Sequence, residues 1–221
     1  MGDFESDRYM AWWLAGGINP ANCIAVYQPK GAASYAASLT DLTGNGHTLT
    51  EGTAPDWATE IGWTFDASNL EYLITDIPVA EQMTIAVSVK NADGTGEATA
   101  IGAGYYAGAH YNYTIIQPRV VNVSQGYFHK ADYKTVFFTN EVADSISILS
   151  GYDCYYNNVF KGTISGGTWY PAQPMRDLHI GRLNRNISVG YFNGDILAVA
   201  IYSANITSGQ ASALYSVMNA L

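Results

Sequence analysis

The sequence is poor in charge, and most of the charge it has is negative. Asp, Glu, Lys and Arg make up 13% of the 221 residues, and 19 acidic residues against 10 basic ones give a net charge of −9. Without a basic patch, neither a nucleic-acid backbone nor an anionic membrane surface is an expected partner. An acidic surface favours neutral partners such as glycans, or serves solubility alone.

Cysteine is scarce as well. Cys23 and Cys154 are the only two cysteines, and they form no C-x-x-C pair. Two buried free thiols and one long-range disulfide both fit the sequence, and the spacing does not choose between them.

The sequence also lacks the features of a leader or a membrane span. Its first eight residues are acidic where a secretory signal is positive, and the apolar stretch of residues 9–18 is short and interrupted by Gly16 and Gly17. We therefore expect neither a signal peptide nor a membrane insertion, and we expect synthesis in the cytoplasm of a host cell.

Glycine and tyrosine are abundant, with 22 and 17 residues. This balance is typical of short strands joined by tight turns, with a surface wetted by hydroxyl groups. The length suits one β-sandwich with a full hydrophobic core, so we expect one domain.

The last thirty residues carry the clearest pattern. Asn193 and Gly194 tolerate positive φ and predict a turn, and residues 196–202 are apolar at every position, which predicts a central strand buried on both faces. Thr207 and Gln210 have the spacing of a capping box. The apolar residues that follow recur at helical spacing and predict a short helix that covers the strand: Ala211, Leu214, Tyr215 and Met218.

Several segments resemble a known family. The late ones are residues 178–182 (LHIGR), 191–196 (YFNGDI), 201–203 (IYS), 206–208 (ITS) and 213–215 (ALY). They resemble the last third of the LamG-like jelly-roll domains of the concanavalin A-like lectin/glucanase group. Residues 41–50 (DLTGNGHTLT) resemble a loop near the start of these domains, with Thr43 in the position of its serine.

A looser resemblance concerns sandwich domains of phage tail and other virion proteins. It rests on residues 28–32 (QPKGA), on the glycine-rich loop after Asp41, and on residues 62–65 (GWTF). Together the resemblances imply an all-β, concanavalin A-like jelly-roll β-sandwich over residues 23–221 with a short C-terminal helix.

Residues 1–22 do not resemble the family and are interpreted as an N-terminal arm. Trp12 and Trp13 are costly to leave in water, at about 1.5–3 kcal/mol for each large apolar side chain. Two alternatives follow: a flap packed on the sandwich, or an arm that docks on a neighbouring subunit of a homo-oligomer or on other virion proteins. In the second alternative, Trp12 and Trp13 are the assembly residues.

Two aromatic segments are candidate carbohydrate sites, because sugars stack on aromatic rings and hydrogen-bond to Asn and Tyr side chains. They are residues 104–113 and 166–171. The predicted ligand-binding residues are Tyr105, Tyr106, Tyr111, Asn112, Trp169 and Tyr170. Packing of these loops, or a subunit interface, is the alternative.

Catalytic patterns are missing. Glycosidases of this scaffold commonly carry E-x-D-x-x-E, and the nearest acidic group here, Asp66, Glu71 and Asp76, straddles a predicted turn and need not converge. We therefore predict no catalytic residues and no enzyme activity.

No cofactor is predicted, and calcium is the one metal considered. A site built from Asp195 with carbonyl oxygens near Asp41 is an option, because calcium prefers such oxygen ligands. The four histidines are read as surface or hydrogen-bonded residues in preference to metal ligands: His47, His110, His129 and His179.

The sequence thus predicts a non-enzymatic surface module of a phage particle, of the decoration or tail-fibre type, that binds carbohydrate or acts in adhesion. A free-standing lectin or carbohydrate-binding module is the first alternative. A glycoside hydrolase is the second.

Overall fold

Two antiparallel β-sheets packed face to face form the body of the chain, as a computed structural model shows. The structure describes residues 11–93, 98–107, 110–120, 125–132, 134–139, 143–171, 175–185 and 190–221. The strands in these ranges are β1 (Cys23–Tyr27), β2 (Thr50–Thr53), β3 (Asp56–Ala58), β4 (Gly62–Phe65), β5 (Tyr72–Pro78), β6 (Thr84–Lys90), β7 (Ile101–Ala107), β8 (His110–Val120), β9 (Gln125–Lys130), β10 (Lys134–Thr139), β11 (Ser145–Ser150), β12 (Asp153–Tyr156), β13 (Val159–Thr163), β14 (Asp177–Ile180), β15 (Leu183–Asn184) and β16 (Gly194–Tyr202). The helices are α1 (Tyr35–Ser38), α2 (Ser208–Met218) and three 3-10 helices, Trp12–Gly17, Pro20–Asn22 and Ala67–Asn69.

The strand order interleaves distant parts of the chain. The first sheet runs β13-β12-β11-β6-β16-β4-β3, with β1 also paired to β16. The second sheet runs β10-β9-β8-β7-β14-β5-β2, and β15 adds a short parallel pairing to β7. Strands close in sequence therefore often lie in different sheets. The predicted all-β sandwich with a short C-terminal helix is confirmed.

The first sheet is covered on both faces. All nine residues of β16 are buried. Val199 and Ile201 point into the core between the sheets, whereas Ala198 and Ala200 point outward into a second cluster that contains Leu214 of α2. The predicted two-sided burial of this strand is confirmed, with α2 as the cover on the outer side.

Local signals formed as the sequence indicated. Thr207 and Gln210 form a complete capping box at the start of α2. The turn between β12 and β13 has Asn157 and Asn158 at φ of 46° and 62°. Such left-handed backbone is tolerated by asparagine and suits a two-residue hairpin.

The Asp41 loop also formed as predicted. The Asp41 carboxylate accepts hydrogen bonds from the backbone N–H groups of Val26 and Thr43 at 3.1 and 3.0 Å. These bonds anchor the loop against β1.

Strand β8 contains a proline, Pro118, and continues through it to Val120. The register with β9 shifts between Gln117 and Val120, which is the bulge that a proline in a strand requires. Residues 121–124 lie outside the described residues.

Residues 11–22 pack on the chain's own sandwich. Trp12 and Trp13 are partly buried against the cluster beneath α2. The Trp12 indole Nε1 donates to Gln28 Oε1 at 2.8 Å, and the Tyr202 hydroxyl donates to the Trp13 carbonyl oxygen at 2.8 Å. This segment therefore forms a flap within the chain, and its docking on a neighbouring subunit stays a prediction.

In the part of the chain that the structure describes, no helix combines the length and apolarity needed to cross a membrane.

Candidate functional site

Among the described residues, no helix comparable to α2 lies over the outer face of the second sheet, called here the open face. Strand β5 shows its construction: Leu73, Thr75 and Ile77 are buried toward the core, whereas Tyr72 and Asp76 alternate to the outside. A half-buried strand with this period-two pattern presents one face to the surroundings. At β5, the open face therefore leaves side chains available for contact.

Four side chains meet on the open face in what we call the arginine cluster: Tyr72, His179, Arg182 and Tyr191. His179 of β14 lies directly opposite Ile74 of β5, so Tyr72 is its diagonal neighbour on the same face. The Tyr72 and His179 rings stack with centroids 5.2 Å apart and planes inclined by 17°. Diagonal neighbours at this separation are within reach of aromatic side chains.

A glycine turn brings Arg182 to this stack. Gly181 has φ of 84°, and a Cβ there would lie 2.3 Å from the ring of Phe65, so a larger residue would be strained and would clash. Just after this turn, Arg182 forms an isolated bridge with Tyr191. The turn thus sets both residues on the open face.

The Arg182 guanidinium is held in a defined plane. Its central carbon lies 3.8 Å from the centroid of the Tyr72 ring. Its Nε donates to His179 Nδ1 at 3.0 Å, and Nη1 lies 3.5 Å from the Tyr191 hydroxyl oxygen, at the long end of the hydrogen-bond range. The Tyr72 ring also packs on Gly52, where a Cβ would lie 2.0 Å from the ring.

His179 is held as a neutral imidazole. Burial lowers its pKa to about 4, and the charges of Arg182 and Arg176 act in the same direction. Arginine can only donate, so His179 Nδ1 is the acceptor and the proton sits on Nε2. At neutral pH the partners of the Arg182 guanidinium inside the cluster are therefore all uncharged.

Arg176 and Arg182 have no carboxylate partner among the described residues, where His47 with Asp76 is the one ion pair. The Nε of Arg176 is buried without a hydrogen-bond partner, while its Nη1 lies 3.4 Å from Asn184 Oδ1. Burial and the Asp76 carboxylate raise the pKa of Asp177, the opposite of what pairing with a guanidinium does. The guanidinium groups of Arg176 and Arg182 therefore form no ion pair with a described carboxylate.

The predicted carbohydrate-binding residues differ in burial and in whether their side chains are described. The Asn112 side chain is buried, and its amide donates to the Tyr170 carbonyl oxygen at 2.7 Å and accepts from the Tyr170 N–H at 2.9 Å. Tyr105 is partly buried directly opposite Asn112. The side chains of Tyr106 and Tyr111 lie outside the described residues.

Asn112 thus clamps the loop that carries Trp169 and Tyr170. The structure brings Tyr105, Asn112 and Tyr170 to one end of the β7–β8 hairpin, with Trp169 beside them and packed against the core. Sugar binding by this group stays a prediction.

Beneath Trp169 lies a fully buried lysine, Lys130. Its Nζ donates to the Ala80 carbonyl oxygen at 3.0 Å and lies 5.4 Å from the Trp169 ring centroid and 6.0 Å from that of Tyr152. Burial lowers its pKa to about 7, although Glu81 acts in the opposite direction. Lys130 was not predicted, since nothing in residues 125–130 marks it as the inward-facing position.

The acidic residues around the β4–β5 connection are hydrogen-bonded locally. Asn69 Nδ2 donates to Asp66 Oδ2 at 3.3 Å and to Glu71 Oε1 at 3.2 Å, so these two carboxylates do converge. Asp76 lies elsewhere and accepts from His47 at 2.7 Å. Hydrogen bonds from Ser68 lower the pKa of Asp66, whereas a general acid of a glycosidase needs a raised pKa.

Asp195 and Asp41 accept hydrogen bonds in separate networks. Asp195 accepts from Thr64 Oγ1 at 2.7 Å and from Asn91 Nδ2 at 2.6 Å, while Asp41 accepts from its own loop and β1. The described residues contain no group of three or more His, Cys, Asp or Glu side chains able to hold a metal ion. A calcium site built from Asp195 and carbonyl oxygens near Asp41 stays a prediction.

The cysteines and histidines are tied into the fold. Cys23 and Cys154 are both free and buried, and burial raises both thiol pKa values, that of Cys23 to about 12. His129 lies on the open face between Gln117 and Thr135, at 3.0 and 2.8 Å, and burial lowers its pKa to about 4. The side chain of His110 lies outside the described residues.

The arginine cluster was missed at the level of sequence, although a signal existed. Three of the five arginines lie within ten residues: Arg176, Arg182 and Arg185. In a chain with so few basic residues, this concentration marks a local site. The overall charge of −9 led to the expectation that the chain has no basic patch.

Comparisons with known proteins identify the fold alone. No family model matches the sequence, and no curated protein matches it. Among solved structures, the sialidase of Trypanosoma rangeli in complex with sialic acid has a TM-score of 0.58 and 13% identity over 90% of this chain and 33% of that one. The chain thus spans about a third of the sialidase, and identities this low show shared architecture only.

Two further structures have the same architecture. Domain 4 of AbnA, an extracellular arabinanase of Geobacillus stearothermophilus, in complex with arabinotriose, has a TM-score of 0.53 and 17% identity over 88% of this chain and 98% of that one. The binding domain of botulinum neurotoxin serotype D has a TM-score of 0.58 and 12% identity over 90% of this chain and 51% of that one. These likenesses show a shared β-sandwich architecture.

Proposed function

We propose that the chain is a non-enzymatic carbohydrate-binding module that acts on the surface of a phage-type particle, as a decoration or tail-fibre component. The observation that carries the binding part is the open face, where Tyr191 and Arg182 lie side by side in a bridge just beyond the end of β14. Preorganised aromatic and polar groups on a sheet bind at low entropic cost, because they are not ordered on binding.

The structural neighbours support the binding part as an analogy. The arabinanase domain was solved with arabinotriose and the sialidase with sialic acid, so sandwiches of this architecture occur in proteins that meet saccharides. The particle-surface part rests on the resemblance of residues 28–32 and 62–65 to virion sandwich domains. The sandwich and the packed flap are compatible with such a role.

A free-standing lectin or carbohydrate-binding module is the second candidate. The arabinanase domain favours this candidate, because the structural alignment with this chain covers 98% of that domain. Light scattering separates the two candidates: a particle component should form a defined homo-oligomer or require a partner, whereas the second candidate should be a monomer or dimer. Trp12 and Trp13 remain the proposed assembly residues for the first candidate.

A glycan-array screen tests the binding function. We expect specific binding that is unchanged when calcium is replaced by a chelator, and we expect Tyr191→Ala to weaken it by about 2- to 10-fold through the loss of one aromatic contact. Tyr215→Ala, which removes a partly exposed tyrosine from α2, is the matched control and should bind as the wild type does. A blank array would contradict the proposed function, and hydrolysis of a bound glycan would contradict its non-enzymatic part.

A further inference from the structure

The Arg182 guanidinium has an unused hydrogen-bonding edge. Its Nε is committed to His179 and its Nη1 reaches Tyr191 only at 3.5 Å. No described residue accepts a hydrogen bond from Nη2. The Arg182 side chain is partly exposed, and Nη1 and Nη2 are its two terminal nitrogens.

The same guanidinium carries an uncompensated charge. A partly buried cation normally pairs with a carboxylate, because its hydration is otherwise lost without replacement. Here the neighbours are two tyrosines and a neutral histidine, and Arg176 adds a second positive charge close enough to lower the pKa of His179. Asp177, the nearest carboxylate along β14, is not stabilised by either arginine.

The plane of the guanidinium is fixed before any ligand arrives. Stacking on Tyr72 at 3.8 Å and the bond to His179 restrain it, so little rotamer entropy is lost when a ligand binds. A planar fork of two N–H donors matches the two oxygens of a carboxylate.

We infer that the ligand of the open face is an acidic saccharide, whose carboxylate is bound by the Nη1–Nη2 edge of Arg182 while Tyr191 contacts the sugar ring. This inference rests on the proposed carbohydrate-binding function and makes it more specific. It also differs from the expectation of a neutral partner that the overall charge suggested, since Arg182 and Arg176 both lie close to His179 on this face.

The test compares saccharides that differ in the carboxylate. Binding is measured by titration calorimetry with sialyllactose against lactose, and with oligogalacturonate and oligomannuronate against their carboxyl-reduced forms. We expect at least one acidic saccharide to bind about 10-fold or more tightly than its neutral counterpart, as a charge-assisted bidentate bond should give. A sulfated galactan oligosaccharide is included as a second anion.

Variants place the effect at Arg182. Arg182→Gln should weaken acidic binding by about 10- to 100-fold, and Arg182→Lys by about 10-fold, because lysine keeps the charge and loses the planar fork. Lys90→Gln is the matched control: it removes one exposed positive charge from the first sheet and should change binding by less than about 2-fold. Thermal unfolding of each variant verifies that it is folded.

Each of the remaining outcomes would refute a specific part of the inference. Equal binding of acidic and neutral saccharides, unchanged in Arg182→Gln, would refute the acidic ligand and leave carbohydrate binding intact. Binding of no saccharide would refute both. Acidic binding that survives both Arg182 variants would refute the site, and a preference for the sulfated oligosaccharide would refute the carboxylate.

Discussion

On the outer face of the first sheet, alanine and valine side chains from β1, β6 and β16 lie under α2, whereas the outer face of the second sheet carries tyrosine, histidine and arginine. Val26, Ala86 and Ala200 represent the first set, and Tyr72 and Arg182 the second. Small apolar side chains let a helix approach a sheet closely, while large polar ones hold their own tips in water or against a ligand. The two faces of one sandwich are thus specialised for cover and for contact.

This difference predicts that truncating a side chain on the covered face lowers the free energy of unfolding more than truncating one on the open face. Leu214→Ala should lower the free energy of unfolding by about 2–5 kcal/mol, because Leu214 is fully buried between α2 and the sheet and its removal leaves a cavity. Urea denaturation followed by circular dichroism measures the change. Saccharide affinity of the folded variant should stay at the wild-type value.

Phe137→Ala is the control on the second sheet. Phe137 is 64% exposed in β10, so its truncation should cost less than about 1 kcal/mol. A comparable loss in the two variants would mean that the faces do not differ in their contribution to stability.

Lys130 is an exception to the apolar interior, because it is fully buried on the inner side of β9. Its folded pKa of about 7 is lower than the unfolded value of 10.5, so between these pH values the unfolded chain binds more protons and stability rises with pH. We expect the wild type to gain about 1–3 kcal/mol relative to Lys130→Met between pH 7 and pH 9.

Paired denaturation curves of the wild type and Lys130→Met at the two pH values measure this effect. The variant keeps the two buried cysteines and the other groups that titrate at high pH, so their contributions cancel in the difference. A difference that is independent of pH would show that Lys130 remains charged in the folded protein.

The smallest expected effect concerns the end of the covering helix. Thr207→Ala removes the hydroxyl that accepts from the Gln210 N–H at 3.2 Å and should destabilise the chain by about 1 kcal/mol. Thr207→Ser keeps the cap and serves as the control. Equal melting temperatures of the two variants would show that packing alone holds α2 on the sheet.

The sequence was informative where one segment contains all partners of an interaction. The capping box at Thr207 and the apolar run in β16 each depend on residues a few positions apart, and each formed as predicted. Local chemistry fixes such features whatever the rest of the chain does.

The arginine cluster depends on partners that are far apart in sequence. Tyr72 and His179 are separated by more than a hundred residues and meet only because β5 and β14 are neighbours in the second sheet. The same holds for Asn112, a predicted sugar ligand whose amide hydrogen-bonds to the backbone of Tyr170. Strand order across two sheets decides such contacts, and no periodicity in one segment reveals it.

The contact between the 3-10 helix Trp12–Gly17 and α2 also fixes the direction in which the module is displayed. Gln210 Nε2 donates to the Gly17 carbonyl oxygen at 3.3 Å, so the early and late segments lie side by side on the covered face. A tether, a fusion partner or a sensor chip attached through either segment would sit behind the sandwich. The opposite sheet would then point outward, and a saccharide could approach Arg182 without meeting the support.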